Sequence, residues 1–88
     1  MIGNVAEFNQ KFGLPSGDED KLSGDPHAQQ FRLKFIQEEL DELAESLHNG
    51  DRVGAFDALL DIAYVVYGTA LFMGVSPAQW AAGMHAIH

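Results

Sequence analysis

Hydrophobic residues recur at three- and four-residue spacing between breaks rich in glycine and proline, which is the pattern of helix faces. Ile2, Val5, Phe8 and Phe12 share one face of a first helix over Ile2–Phe12. The stretch from Gly13 to Pro26 is dense in Gly, Asp, Ser and Pro and reads as a loop. Asp25-Pro26 supplies an N-cap and a first-turn proline, and predicts a long helix from there to about His48. Leu33, Ile36, Leu40, Leu43 and Leu47 form its apolar stripe. Asn49-Gly50 stops it, and Asp51 caps a third helix from about Arg52 to Met73. Gly74 ends that helix, and Ser76-Pro77 opens a last one that carries Gln79, Trp80, Met84 and Ile87 to the end of the chain. No strand alternation, internal repeat or low-complexity tract interrupts this order. The expectation is one all-α domain over residues 1–88, a four-helix protomer. The short Asn49-Gly50 turn makes its two long central helices antiparallel neighbours.

Charge narrows the possible partners. Thirteen acidic residues oppose five basic ones, for a formal net charge of -8. Such a surface repels nucleic-acid backbones and anionic membranes, although a small phosphorylated ligand can still be held through cations. The absence of cysteine removes disulfides, thiolate nucleophiles and thiolate metal sites. A 47% hydrophobic content in so short a chain hints at burial against a second copy. Met1 to Gly13 lacks a basic start followed by an apolar run, so the expected location is the cytoplasm. The acidic run Asp18-Glu19-Asp20 resembles the start of a calcium loop, but Leu22, Ser23 and Gln29 occupy the fifth, sixth and twelfth positions, where that loop needs a ligand, a glycine and a glutamate.

The third helix holds the main anomaly. From Val53 to Met73 its only charged residues are Asp57 and Asp61, about 40° apart on a face shared with Tyr64, Val65, Gly68 and Phe72. A membrane span is rejected, since each central aspartate would cost about 3 kcal/mol and basic anchors are missing from the flanks. The preceding helix offers six acids between Phe35 and Asp51 and no Lys or Arg. Glu38, Asp41 and Glu45 oppose the leucine stripe, whereas Glu39 and Glu42 sit at its border. At about 1.5 Å of rise per residue from Gly50, Glu42 and Asp57 lie about 12 and 10.5 Å along their helices, and Glu39 and Asp61 both about 16.5 Å. If these faces meet, the carboxylates converge without a base nearby and require hard cations. All-oxygen ligation suits Mg²⁺ or Mn²⁺ rather than zinc, and points to metal-assisted attack of water on a phosphate or phosphoanhydride. A solvated acidic groove is the competing outcome.

The segments Arg32–Leu43 (RLKFIQEELDEL), Asn49-Gly-Asp51 and Asp57–Ala70 (DALLDIAYVVYGTA) resemble the all-α nucleoside triphosphate pyrophosphohydrolases, the MazG-like and phosphoribosyl-ATP pyrophosphohydrolase-like superfamily. Phe8–Pro15 has the flavour of its small phage and bacterial branch, which includes dimeric dUTPase-like members. The resemblance implies a Mg²⁺-dependent homodimer or homotetramer that cleaves a (d)NTP, such as dUTP or a non-canonical nucleotide, between its α- and β-phosphates. The family's Glu-Glu-x-x-Glu motif falls on Glu38, Glu39 and Glu42. Its second motif, Glu-x-x-Asp, ends on Asp61, but Ala58 stands at the Glu position and the nearest carboxylate is Asp57. The implied metal ligands are Glu39, Glu42, Asp57 and Asp61, with Glu38 or Glu39 orienting the attacking water. Relatives often carry an Asn and a Lys past the start of the fourth helix. Here the resemblance assigns substrate phosphates to Lys34, Arg32 or a neighbouring subunit.

Two alternatives accompany this reading: a phosphoribosyl-ATP pyrophosphohydrolase of histidine synthesis, and a non-catalytic acidic helical interaction module. Lys34 is also placed to pair with Glu38 one turn on. His85 and His88 read as surface residues, and Tyr64, Tyr67, Phe72 and Trp80 as core or dimer interface.

Overall fold

The computed structural model describes residues 13–14 and 19–87. Among these it is all-α, with no strand and three helices: α1 (Pro26–His48), α2 (Arg52–Phe72) and α3 (Pro77–Ile87). The helix expected over Ile2–Phe12 lies outside the described residues, as does His88.

Each helix end follows from local chemistry. Asp25 caps α1, its Oδ1 accepting from the Ala28 N–H at 3.1 Å, with Pro26 in the first turn. Upstream, Asp20 Oδ1 accepts from the Leu22 and Ser23 N–H groups at 2.9 and 3.0 Å, so this acid serves a local turn. That turn closes one end of the fold. The Lys21 N–H donates to the Phe72 carbonyl, Gln29 Nε2 donates to the Leu22 carbonyl, and Leu22 is buried.

At the other end, Gly50 takes a left-handed φ of 68° that a residue with a Cβ rarely adopts. Asp51 then donates its N–H to the Ser46 carbonyl at 2.8 Å and accepts from the Gly54 N–H at 2.9 Å, capping α2. Gly54 has no room for a side chain, because a Cβ there would run into the Asp51 carboxylate and stand 2.9 Å from Ser46 Oγ. With three residues between them, α1 and α2 fold back as an antiparallel pair. The helix α2 ends at Phe72, one residue short of the expected Met73, which is its C-cap. Ser76 and Gln79 satisfy each other's N–H groups at the start of α3, a capping box. Trp80 then sets α3 edge-on against Tyr67, ring centres 5.2 Å apart.

The hairpin interface is narrow. In α2 only Ala55, Ala58 and Val65 are buried. Facing them, α1 offers Arg32, Ile36, Glu39, Leu43 and Ser46, all half-buried and spaced by three or four. The leucine stripe is thus only partly used: Ile36 and Leu43 meet α2, while Leu33, Leu40 and Leu47 stay exposed. The reason is that α2 leans on the flank where Glu39 and Ser46 lie, not on the centre of the stripe.

The far side of α2 is apolar and open, with Val53 81%, Phe56 62%, Leu60 52% and Tyr64 81% exposed. By length and composition α2 would be apolar enough to cross a bilayer, with a mean hydropathy of 1.5. However, α1 packs along it carrying Glu39 and Glu42 toward Asp61, an arrangement hydrocarbon does not tolerate. A helix apolar on all sides belongs in a core, and half of that core is supplied by α1.

Candidate metal centre

Equal distances from the turn bring α1 and α2 side chains level with one another. Ligand-capable oxygens of Glu39, Glu42 and Asp61 lie within 4.8 Å of one another. Glu39 and Glu42 come from one face of α1, at i and i+3, and Asp61 reaches across from α2. Glu42 and Asp61 are exposed and Glu39 is half-buried, so the cluster is open to solvent.

Glu39 is the uncomfortable member. Its Oε2 is shielded from solvent and has no hydrogen-bond partner among the described residues. Burial raises its proton affinity first, and the charges of Glu42 and Asp61 raise it further. An unpartnered carboxylate oxygen facing two other carboxylates is a donor set suited to a hard divalent cation, which would relieve both the burial and the repulsion.

The remaining sequence candidates are distributed as follows. Asp57 is exposed and does not join the three. It sits one turn nearer the hairpin turn than Asp61 and about 40° further round α2, away from α1. Ala58, at the position of the implied family glutamate, is buried in the helix interface and has no ligand to offer. Glu38 lies outside the cluster in a separate groove with Phe31, Lys34 and Phe35, so Lys34 is also turned away from the three acids. Asp41 accepts from Gln37 Nε2 on the solvated face. Arg32 lies on the groove side of α1, its guanidinium 5.0 Å from the centre of the Phe72 ring. His85 is exposed near the end of α3.

Two neighbours of the site were given no role by the sequence, Gly68 appearing there only as part of the face shared with Asp57 and Asp61. Lys21 Nζ sits over the same Phe72 ring at 5.7 Å, and Gly68 leaves an opening beside Arg32 Nη1. Gly68 was findable by the same count that paired Glu39 with Asp61, since Arg32 and Gly68 are each 18 residues from Gly50. Lys21 had no such signal, because its place depends on the loop bonding to Phe72.

Comparison with known proteins adds the following. Residues 5–88 match the family described as phosphoribosyl-ATP pyrophosphohydrolase. Uncharacterized protein L479 of Acanthamoeba polyphaga mimivirus is 35% identical over 75 residues, covering 82% of this chain and 30% of the viral protein. The chain therefore spans less than a third of that relative's length. No solved structure matches.

The raised proton affinity of Glu39 has a definite sign in stability. In metal-free protein, between the ordinary and the raised value, the folded state holds a proton that the unfolded state has released, so the contribution of Glu39 to stability is full on the acid side of that window and falls as pH rises through it. Glu39→Gln is expected to flatten that fall and to raise the melting temperature at neutral pH. Mn²⁺ at about 100 times its dissociation constant should raise the wild-type melting temperature by on the order of 10 °C and leave Glu39→Gln unmoved. Thermal melts of both proteins with and without Mn²⁺, at pH 5 and 7.5, check this; an equal metal response in the two would remove Glu39 from the site.

Proposed function

The chain belongs to the phosphoribosyl-ATP pyrophosphohydrolase family, and from that premise we propose that it hydrolyses a nucleoside triphosphate between the α- and β-phosphates. The products are a monophosphate and pyrophosphate. The observation that carries the proposal is the meeting of Glu39, Glu42 and Asp61 at a solvent-open site, with Glu39 Oε2 lacking a hydrogen-bond partner among the described residues. A simple deoxynucleotide, such as dUTP or one with a non-standard base, is the substrate we favour.

Glu39, Glu42 and Asp61 would hold Mg²⁺ or Mn²⁺, which when bound neutralises phosphate charge and polarises the phosphoanhydride. Glu39 has a second task. Its Oε2 would accept a hydrogen bond from a water molecule and orient it for attack on phosphorus. The pyrophosphate leaves from the opposite side. Glu42 and Asp61 are both exposed, so a triphosphate would reach the site directly from solvent. Glu38, in its own groove, is the weaker candidate for orienting water, and Asp57 stands ready only as an outer ligand beside Asp61.

A second copy of the chain is the partner we propose for the open face of α2. Val53, Phe56 and Leu60 present apolar surface at helical spacing with Asp57 as the only charge among them, and a self-complementary dimer would complete the four-helix core. With that face covered, the protein is expected to be soluble in the cytoplasm. A tetramer would require a further face, and exposed Leu33, Leu40 and Leu47 supply one.

A second substrate has its own support, because the matched family is described by phosphoribosyl-ATP. A panel of canonical and modified nucleoside triphosphates plus phosphoribosyl-ATP separates the two. We expect pyrophosphate rather than orthophosphate as the released product, loss of release in chelator, and a fall in kcat/KM of about 10³ or more in Asp61→Ala with helix content unchanged. Turnover of phosphoribosyl-ATP alone would transfer the activity to histidine synthesis. Silence on every substrate would leave a non-catalytic acidic helical module.

The dimer has a separate test. Sedimentation equilibrium should give a mass of at least twice 9.6 kDa, and Leu60→Glu should shift it toward the monomer. A wild-type monomer at micromolar concentration would contradict the proposed partner.

A further inference from the structure

We infer that the cavity next to the acidic cluster is a nucleobase subsite, in which Arg32 selects bases with a keto oxygen opposite the sugar. This rests on the phosphoanhydride reading and narrows its substrate. The cavity has a volume of about 330 Å³, and its lining includes Arg32, Phe35, Tyr64, Val65, Tyr67 and Gly68. It lies in register with the acids: Phe35 is one turn of α1 beyond Glu39, and Tyr64 one turn of α2 beyond Asp61. Measured from Gly50, Glu39 and Asp61 lie at about 16.5 Å, Phe35 and Tyr64 at about 21–23 Å, and Arg32 and Gly68 at about 27 Å. A nucleotide with its phosphates at the carboxylates has its base one sugar away along the same groove.

The lining decides what kind of group fits. Aromatic rings and Val65 suit a flat, weakly hydrated ring and not a pyrophosphate tail, which would lose its hydration for one cation. Arg32 stands at the far end with its guanidinium carbon 5.0 Å from the centre of the Phe72 ring. Stacking on a ring face leaves the in-plane N–H edge of a guanidinium available. Nη1 lies beside Gly68, 3.7 Å from where a Cβ would stand, so no side chain screens it there. A guanidinium has five donors and no acceptor. At the end of the cavity away from the phosphates it meets the substituent opposite the sugar, where it complements O4 of uracil and thymine and O6 of guanine and leaves the amino groups of cytosine and adenine facing another donor. Arg32 is thereby assigned to the base, and the phosphates to the metal cluster.

Nucleosides without phosphate, in chelator, test the subsite apart from the chemistry. Deoxyuridine should shift the amide resonances of Tyr64 and Gly68 and bind about tenfold more tightly than deoxycytidine. Arg32→Gln, whose amide both donates and accepts, should bring the two nucleosides within about twofold. Arg32→Lys, which keeps the charge but loses the planar fork, should also lose most of the preference, and serves if the Gln variant does not fold. Gly68→Ala, for which there is room, should weaken both nucleosides alike. Equal binding of the two nucleosides by wild-type protein, or no shift at Gly68, overturns the subsite. Nucleoside binding with the expected preference but no triphosphate turnover would instead overturn the phosphoanhydride reading and leave the subsite standing.

Discussion

Everything at the site depends on how closely α2 can approach α1. Ala55 and Ala58 are the smallest side chains available at the two contact positions nearest the turn, and both are buried there. Small residues let the helix backbones come together, and Gly54 removes the last obstacle beside the Asp51 cap. The close approach places Asp61 within reach of Glu39 and Glu42 although their side chains are short. The same approach forces Glu39 into partial burial, where like charges surround it. Close helix packing and electrostatic strain are thus two consequences of one contact, and a bound cation would relieve the second without disturbing the first.

Much of this was legible before any coordinates. Asp25-Pro26, Asn49-Gly50-Asp51 and Ser76 mark helix ends because each supplies a specific cap, and the structure shows those caps in use. A three-residue turn turns sequence distance into height, so Glu39 and Asp61 could be paired by counting. Rotation about the helix axis was less legible. Counting also levels Asp57 with Glu42, yet Asp57 is turned outward, because α1 settles on Ala58 and Val65 rather than on the side where Asp57 lies. The leucine stripe misled for a related reason. Five leucine and isoleucine residues describe a face, but only Ile36 and Leu43 meet α2, since the helices touch along a flank that includes Glu39. Which flank is used depends on small residues in the partner, and a hydrophobic pattern does not encode it.

The chain combines a net charge of -8 with a central helix that is apolar on every side. These properties fit together if the acids line a groove that attracts cations and the open side of α2 is covered by an identical face. Of the two acids on α2, Asp57 then falls on the covered face and Asp61 at its edge. Arg32 is an exception within this arrangement. It lies in the groove itself, stacked on Phe72 at the end away from the carboxylates. A groove with carboxylates at one end, aromatic walls in the middle and a guanidinium beyond them has the polarity of a metal-bound nucleotide.

Mn²⁺ titration of wild-type protein, Asp61→Ala and Asp57→Ala by calorimetry tests the central claim most directly. The account predicts saturable binding to wild-type protein, abolished in Asp61→Ala and retained within about threefold in Asp57→Ala, as expected for a group outside the direct ligand set. Binding that survives loss of Asp61, or vanishes with Asp57, would contradict the assignment of Glu39, Glu42 and Asp61 as the metal centre.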